Sequence, residues 1–182
     1  SGRCLEDKDK TAKYVNSPET PLFHKGRVLY AMDKARRDIV ESREAIICEG
    51  QIDVIRCHQE GVTTAVAAQG TAFTEDHVRL LRRYADSVVI VFDPDKAGQD
   101  AGIRAARTFV AAGLAVRVAS LPSGEDPDSL ILKEGVEVFQ KIVDAAGSIV
   151  SFQVEVLSSR EDISTEIGVM RVAKAVLDSI IL

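Results

Sequence analysis

What this 182-residue chain lacks narrows it first. No stretch approaches the roughly 20 apolar residues that a helix needs to cross a bilayer. No succession of charged, apolar and small residues marks a leader. A cytosolic (cytoplasmic) protein with no membrane partner is therefore expected. Cysteine is scarce: Cys4, Cys48 and Cys57 are odd in number and include no CxxC pair, which argues against a disulfide framework. Cys57, His24, His58 and His77 lack the spacing of zinc ligands, so zinc is not expected. Positive charge is not in excess, with 23 Lys and Arg against 28 Asp and Glu and a net charge of -5. No global basic field draws the chain to nucleic acid, and any such contact must be local. Internal repeats and low-complexity tracts are missing too. The chain begins at Ser1 rather than Met and its first residues read as the middle of something, which points to an excised fragment.

What is present is enough for one domain with a real core and a smaller appendage, since 46% of the residues are hydrophobic. Charge is uneven. Residues 1–43 hold ten basic and seven acidic side chains, so that segment carries +3 and the remainder -8. From residue 45 onward, β-rich runs alternate with amphipathic helical patterns, the mark of a mostly parallel α/β sheet flanked by crossover helices. Strands are expected at 45–48, 63–68, 87–92 and 115–121, with helices near 51–60, 74–84 and 97–112. Thr74 followed by Glu75 and Asp76 supplies a helix start, and Gly61 and Gly113 fall where helices stop. Beyond 121 come a Pro/Gly/Asp loop and helices near 128–134, 136–146, 148–158 and 164–181. In the last of these, Ile167, Met170, Val172 or Ala173, Val176, Leu177 and Ile180 form an apolar stripe expected to pack on the α/β body or on a missing C-terminal segment. Residues 1–27 are polar and turn-rich, with one or two short strand candidates, and no element is assigned between 28 and 44.

In a parallel sheet, ligands gather at the carboxyl ends of the strands. Acids stand at three such ends. "CEGQID" (48–53) puts Glu49 at a strand tip, Gly50 in a tight turn and Asp53 at a spacing of four, towards the same side. In "FDPDKAG" (92–98), strand alternation sends Asp93 and Asp95 to one face, with Pro94 stiffening the turn between them. "LPSGEDPDS" (121–129) holds Glu125, Asp126 and Asp128 in a loop. Two ionised carboxylates a few ångströms apart repel by several kcal/mol at an effective dielectric of about 20. Grouped oxygen ligands without His or Cys suit Mg²⁺ or Mn²⁺, and paired divalent ions serve phosphoryl and nucleotidyl transfer. Any one of these acids alone is equally read as a solvated helix N-cap. Asp100, more than a helical turn beyond Asp95, is left on the helix surface.

Glu-Gly with an acid three residues on, followed by Asp-x-Asp after the third strand, resembles the TOPRIM domain of primases, topoisomerases, repair proteins and nucleases. The segments "KYVNSPETPLFHKGRVLYAMDKAR" (13–36), "EGQIDVI", "AAQGTAFTEDHVRLLRRYAD", "VFDPDKAGQDA" and "LPSGEDPDSLILKEG", in that order, closely resemble the bacterial DnaG-type primase family. The resemblance covers most of residues 3–152. It implies a TOPRIM-type fold divided into an N-terminal remnant of a basic subdomain (1–43), the TOPRIM domain (44–125) and an acidic loop with a C-terminal helical subdomain (126–182). It also implies template-directed synthesis of RNA primers from ribonucleoside triphosphates on single-stranded DNA, with Mg²⁺ or Mn²⁺ in two or more sites. By the family pattern Glu49, Asp93 and Asp95 are the catalytic and metal-binding carboxylates, extended by Asp53, Asp126 and Asp128. Glu49 is also a candidate base for the attacking hydroxyl. Arg3, Lys13, Tyr14, Asn16 and Lys25 would line the nucleotide and template groove, although their segment also reads as a structural loop held by Pro18 and Pro21. Gly70 and Thr71 are open between a turn and a template contact, and Arg79, Arg82 and Arg83 read as a solvated helix face.

The chain departs from the family pattern in several ways, among them a reduced basic amino-terminal part and a longer loop at "SGRCLEDKDKTAKY" (1–14), which bears first on Arg3. Asp-Pro-Asp replaces Asp-Gly-Asp, no zinc motif is present, and the family's helicase-contacting region has no counterpart here. A replicative helicase is thus expected as a partner of the full-length protein only, at replication forks. A TOPRIM nuclease or topoisomerase and a non-catalytic TOPRIM binding module remain the alternatives. Against the former, Tyr14, Tyr30 and Tyr84 lie in no recognised DNA-linking motif.

Overall fold

The computed structural model describes Gly2–Arg3, Tyr14–Val15 and residues 17–180. Two short strands open the chain, β1 (Gly2–Arg3) and β2 (Tyr14–Val15), paired antiparallel with Arg3 opposite Tyr14. There follow β3 (Leu29–Tyr30), α1 (Met32–Ser42), β4 (Glu44–Cys48), α2 (Gln51–Gln59), β5 (Ala65–Ala68), α3 (Glu75–Leu81), β6 (Ser87–Phe92) and α4 (Lys96–Ala111). The chain continues through β7 (Ala115–Ser120), α5 (Pro127–Glu134), α6 (Val136–Asp144), β8 (Gly147–Ser148), α7 (Ile149–Arg160) and α8 (Glu166–Ile180).

The central runs become strands because they are apolar on both faces, as a sheet covered by helices on each side requires. In β6, SVVIVF, the five residues after Ser87 are all buried. The sheet order is β3-β5-β4-β6-β7-β8. Its four inner strands are parallel, and β3 and β8 close the two edges antiparallel. Side chains alternate between two cores. Ala45 and Ile47 of β4 face α1, α3, α4 and α7 through Ile39, Leu81, Phe109 and Phe152. Ile46 and Cys48 face α2, α5 and α6 through Val54, Ile131 and Phe139.

The chain therefore leaves β4 towards β5 on one face, then crosses back past β4 to β6 on the other. That reversal places a crevice between the carboxyl ends of β4 and β6, the position where open α/β sheets bind ligands. At the opposite end of the sheet charge is neutralised: Glu44 accepts from Arg117 at 2.9 Å and from Ser87 at 2.8 Å.

The four expected strands and the seven expected helices all form, with ends displaced by a few residues. Three elements were not expected: α1 and the edge strands β3 and β8. The stripe of α8 also differs. Among the described side chains of α8, which leave out that of Ile180, Gly168, Val172 and Val176 are the buried positions, at a spacing of four, and the main packing partner is α7. Met170 remains 71% exposed, with Ile167 and Leu177 exposed beside it. Small and β-branched residues face inward, whereas the larger side chains turn outward.

Candidate active site

Three neighbouring strands, β4, β6 and β7, deliver acids to the crevice. Glu49 follows β4 directly and is exposed. Gly50 caps α2, and its N–H donates to Asp53 Oδ2 at 3.0 Å. A Cβ at residue 50 would lie 2.9 Å from that oxygen, so glycine is what lets the carboxylate close on the turn. Asp53, in the first turn of α2, is only 7% exposed. Burial pushes its carboxyl up to about 7, and the nearby Asp126 and Asp93 carboxylates push in the same direction. The Gly50 N–H that holds one of its oxygens, and more weakly the Asp128 N–H, partly oppose the rise. Asp53, Asp93 and Asp126 are thus brought within electrostatic reach of one another.

Asp93 follows β6 and is half-buried, while Asp95 is exposed and caps α4, accepting from Gly98 N at 2.7 Å. Gly98 also packs on the Asp93 backbone so closely that a Cβ there would meet the Asp93 carbonyl at 2.3 Å. Asp126 caps α5 in the same way, accepting from Ser129 N at 2.7 Å. Asp95 and Asp126 are therefore helix caps and cleft acids at once, and a carboxylate has lone pairs for both duties. Asp93, Asp95 and Asp126 line one open cleft with Ser123, Gly124 and Glu125. Both members of Asp-Pro-Asp reach it, but only Phe92 closes the strand, so the turn rather than strand alternation directs Asp95.

Asp128 lies one step further into α5, where its Oδ1 accepts from Arg56 Nε of α2 at 2.8 Å. Glu125 accepts from Lys133 and from Ser129, the latter at 2.6 Å, and the Lys133 contact leads in holding its carboxyl below the usual range. Asp100 pairs with Arg160 of α7 at 2.7 Å, away from the cleft. Among the described residues no three acids, histidines or cysteines already stand at metal-holding distance around one point. The donors are nevertheless all oxygen and the crowding of negative charge is real, so the residues fit a hard divalent cation.

Lys25 lies against α3, the helix that follows β5. Its carbonyl accepts from buried His77 Nε2 at 2.8 Å, and Thr74 Oγ1 donates to Gly26 O. With His77 Nδ1 accepting from Thr74 N, the imidazole is held neutral, and burial lowers its pKa. No hydrogen bond or ion pair among the described residues joins Lys25 to the acids. Lys13 and Asn16, and the side chains of Arg3 and Tyr14, lie outside the described residues. Gly70 has a φ of 68°, which its turn alone requires. Arg79 pairs with Glu75 and Asp76 on its own helix, and Arg82 and Arg83 are exposed. Sequence reasoning missed Arg56; its one signal was a cation three residues after Asp53, on the same face of α2.

Two family models match: DNA primase catalytic core, N-terminal domain, over residues 1–36, and Toprim-like over residues 46–131. The DNA primase of Escherichia coli strain K12 is 40% identical over 179 residues, covering 97% of this chain and 30% of that protein. The chain belongs to the DnaG-type primase family. The DnaG primase catalytic domain solved with single-stranded DNA bound matches with a TM-score of 0.80 at 40% identity, covering 98% of this chain and 58% of that one. The RNA polymerase domain of Mycobacterium tuberculosis primase DnaG matches at 0.84 and 34% identity, covering 99% and 60%. This chain spans about a third or less of the curated DnaG relatives it matches. Toprim primase domains are generally metal-dependent.

Proposed function

We propose that this chain is the nucleotidyl-transfer part of a bacterial primase, which joins ribonucleotides into a short RNA primer on a single-stranded DNA template. The observation that carries this reading is the gathering of Asp93, Asp95 and Asp126 in one open cleft at the switch point of the sheet, with buried Asp53 in electrostatic reach of Asp126 and Asp93. Carboxylates so crowded favour a bound cation over a proton at neutral pH. Glu49, Asp93 and Asp95 would hold Mg²⁺ or Mn²⁺, with Asp53 and Asp126 extending the site, while Asp128 is already paired with Arg56. When bound, such ions activate an attacking oxygen and offset charge on a leaving one. Glu49, exposed at the strand tip, would either ligate or take the proton of the primer 3′-hydroxyl. The new bond joins that oxygen to the α-phosphorus, and the bond to pyrophosphate breaks. Arg3, Lys13, Tyr14, Asn16 and Lys25 would hold the triphosphate and the template backbone, supplying cations that an acidic centre needs nearby.

On this reading residues 1–43, 44–125 and 126–182 act as a basic remnant, the TOPRIM unit and a helical subdomain. The full-length protein would meet the replicative helicase through a region outside this chain and work in the cytoplasm. The test is titration of Mn²⁺ into the wild type, Asp93→Ala and Asp95→Ala, followed by electron paramagnetic resonance. Binding by the wild type and its loss in both variants is expected; unchanged binding in both overturns the assignment. Metal-dependent nicking of plasmid DNA, lost in Asp93→Ala, would favour phosphodiester cleavage instead. Because the chain is a small part of its relatives, primer synthesis by it alone is expected to be feeble.

A further inference from the structure

We infer that Arg56 and Asp128 are a positioning pair that clamps α2 to α5 across the acidic site, and that Asp128 serves the site through Arg56 rather than by touching a cation itself. The inference rests on the reading above that the neighbouring acids hold a divalent ion. Its starting point is a mechanical problem. Asp53 sits on α2 and Asp126 caps α5, two helices whose facing acids lie more than 70 positions apart in the chain. The two carboxylates repel, and nothing local in the sequence keeps them together.

Two ties do. The first is apolar packing, with Val54 and Cys57 of α2 in one core with Leu130 and Ile131 of α5. The second is Arg56, whose Nε lies 2.8 Å from Asp128 Oδ1. Asp53 and Arg56 stand three apart, on one face of α2. Asp126 and Asp128 stand at the start of α5. The packing and the ion pair therefore join the same two helices beside the acids. The ion pair brings a cation to the junction and joins opposite charges beside acids that repel. It is sheltered as well, with Arg56 24% and Asp128 28% exposed, so the pair is screened less than a surface contact. Arg56 is further steadied by Glu60, one turn on, at 3.7 Å. An aspartate held in this way is already occupied by a guanidinium and would have to leave it in order to bind metal.

The two roles predict opposite signs for one substitution. If Arg56 were only a nearby positive charge, removing it would tighten cation binding. If it positions α5, removing it loosens the site. Mn²⁺ affinity is measured by calorimetry for Arg56→Met, Arg56→Lys, Asp128→Asn and the Arg56→Met/Asp128→Asn double variant. Thermal midpoints without metal confirm that each is folded. Arg56→Met and Asp128→Asn are each expected to weaken Mn²⁺ binding about tenfold, in the range for groups that orient ligands. The double variant should be no weaker than either single one, and Arg56→Lys should recover most of the loss. Tighter or unchanged binding in Arg56→Met overturns the inference, as does abolition by Asp128→Asn beside a near-normal Arg56→Met. Asp93→Ala is the control: if it leaves Mn²⁺ affinity unchanged, the metal reading itself has failed rather than the clamp.

Discussion

Asp53 shows how a single side chain can carry a site's electrostatic state. Its carboxyl is raised from 3.8 to about 7, chiefly by burial and then by Asp126. A group whose folded pKa is raised contributes stability that is complete below its unfolded pKa and is lost as pH rises through the folded one. Metal-free protein should therefore lose stability between about pH 4 and 7 on this residue's account, by something on the order of a few kcal/mol. Asp53→Asn keeps an acceptor for the Gly50 N–H while removing the charge. The expected result is a flatter pH profile of thermal midpoint in the variant and a more stable metal-free protein at pH 8. Equal profiles for the two proteins would contradict the assigned shift. In the wild type, Mn²⁺ affinity should climb between pH 6 and 8 as Asp53 gives up its proton.

Among the elements, α4 makes two glycines separable. At Gly98 a methyl group would strike the Asp93 carbonyl at 2.3 Å, whereas at Gly102 it would meet Phe92 at an ordinary 3.7 Å. Gly98→Ala is expected to destabilise by roughly 1–3 kcal/mol and to weaken Mn²⁺ binding by displacing Asp93. Gly102→Ala is expected to stabilise by up to about 1 kcal/mol, the helix-propensity gain, with metal binding unchanged; chemical denaturation reads both. The inner strands were legible in the sequence because AIIC, AVAA and SVVIVF are apolar on both faces and bounded by turn residues. Helix α1 was not, since its buried stripe is only Met32, Ala35 and Ile39 among many charges. The edge strands β3 and β8 were not either, because two residues show no period and pair only once the sheet exists. The acids at the strand ends were legible for the reason the strands were: a parallel sheet fixes where strand ends meet. Arg56 escaped because its partner is set by how α2 and α5 pack, a relation of long sequence range.

Across the whole molecule, charge is distributed by function. The amino ends of the strands are neutralised by the Glu44 and Arg117 pair, while the carboxyl ends carry acids in close company. One edge of the sheet depends on an unobtrusive anchor. Buried His77 bonds to Lys25 O and, with Thr74, holds the segment that leads into β3. His77→Ala is expected to lower stability by about 1–3 kcal/mol, the cost of leaving the Lys25 carbonyl without its donor, and to increase light scattering at temperatures below the unfolding midpoint. A variant that scatters no more than the wild type would show that β3 holds without the anchor.

The two-residue strands at the margins have a consequence for solubility. The strand inside one margin, β5, reads AVAA, with no charge to discourage a foreign strand. Leu29 and Tyr30 occupy its open hydrogen-bonding side, running against the sheet, and Gly147 and Ser148 do the same for β7. Strands this short offer a newcomer little to build on. They work as selvedges, finishing a fabric that would otherwise go on adding threads.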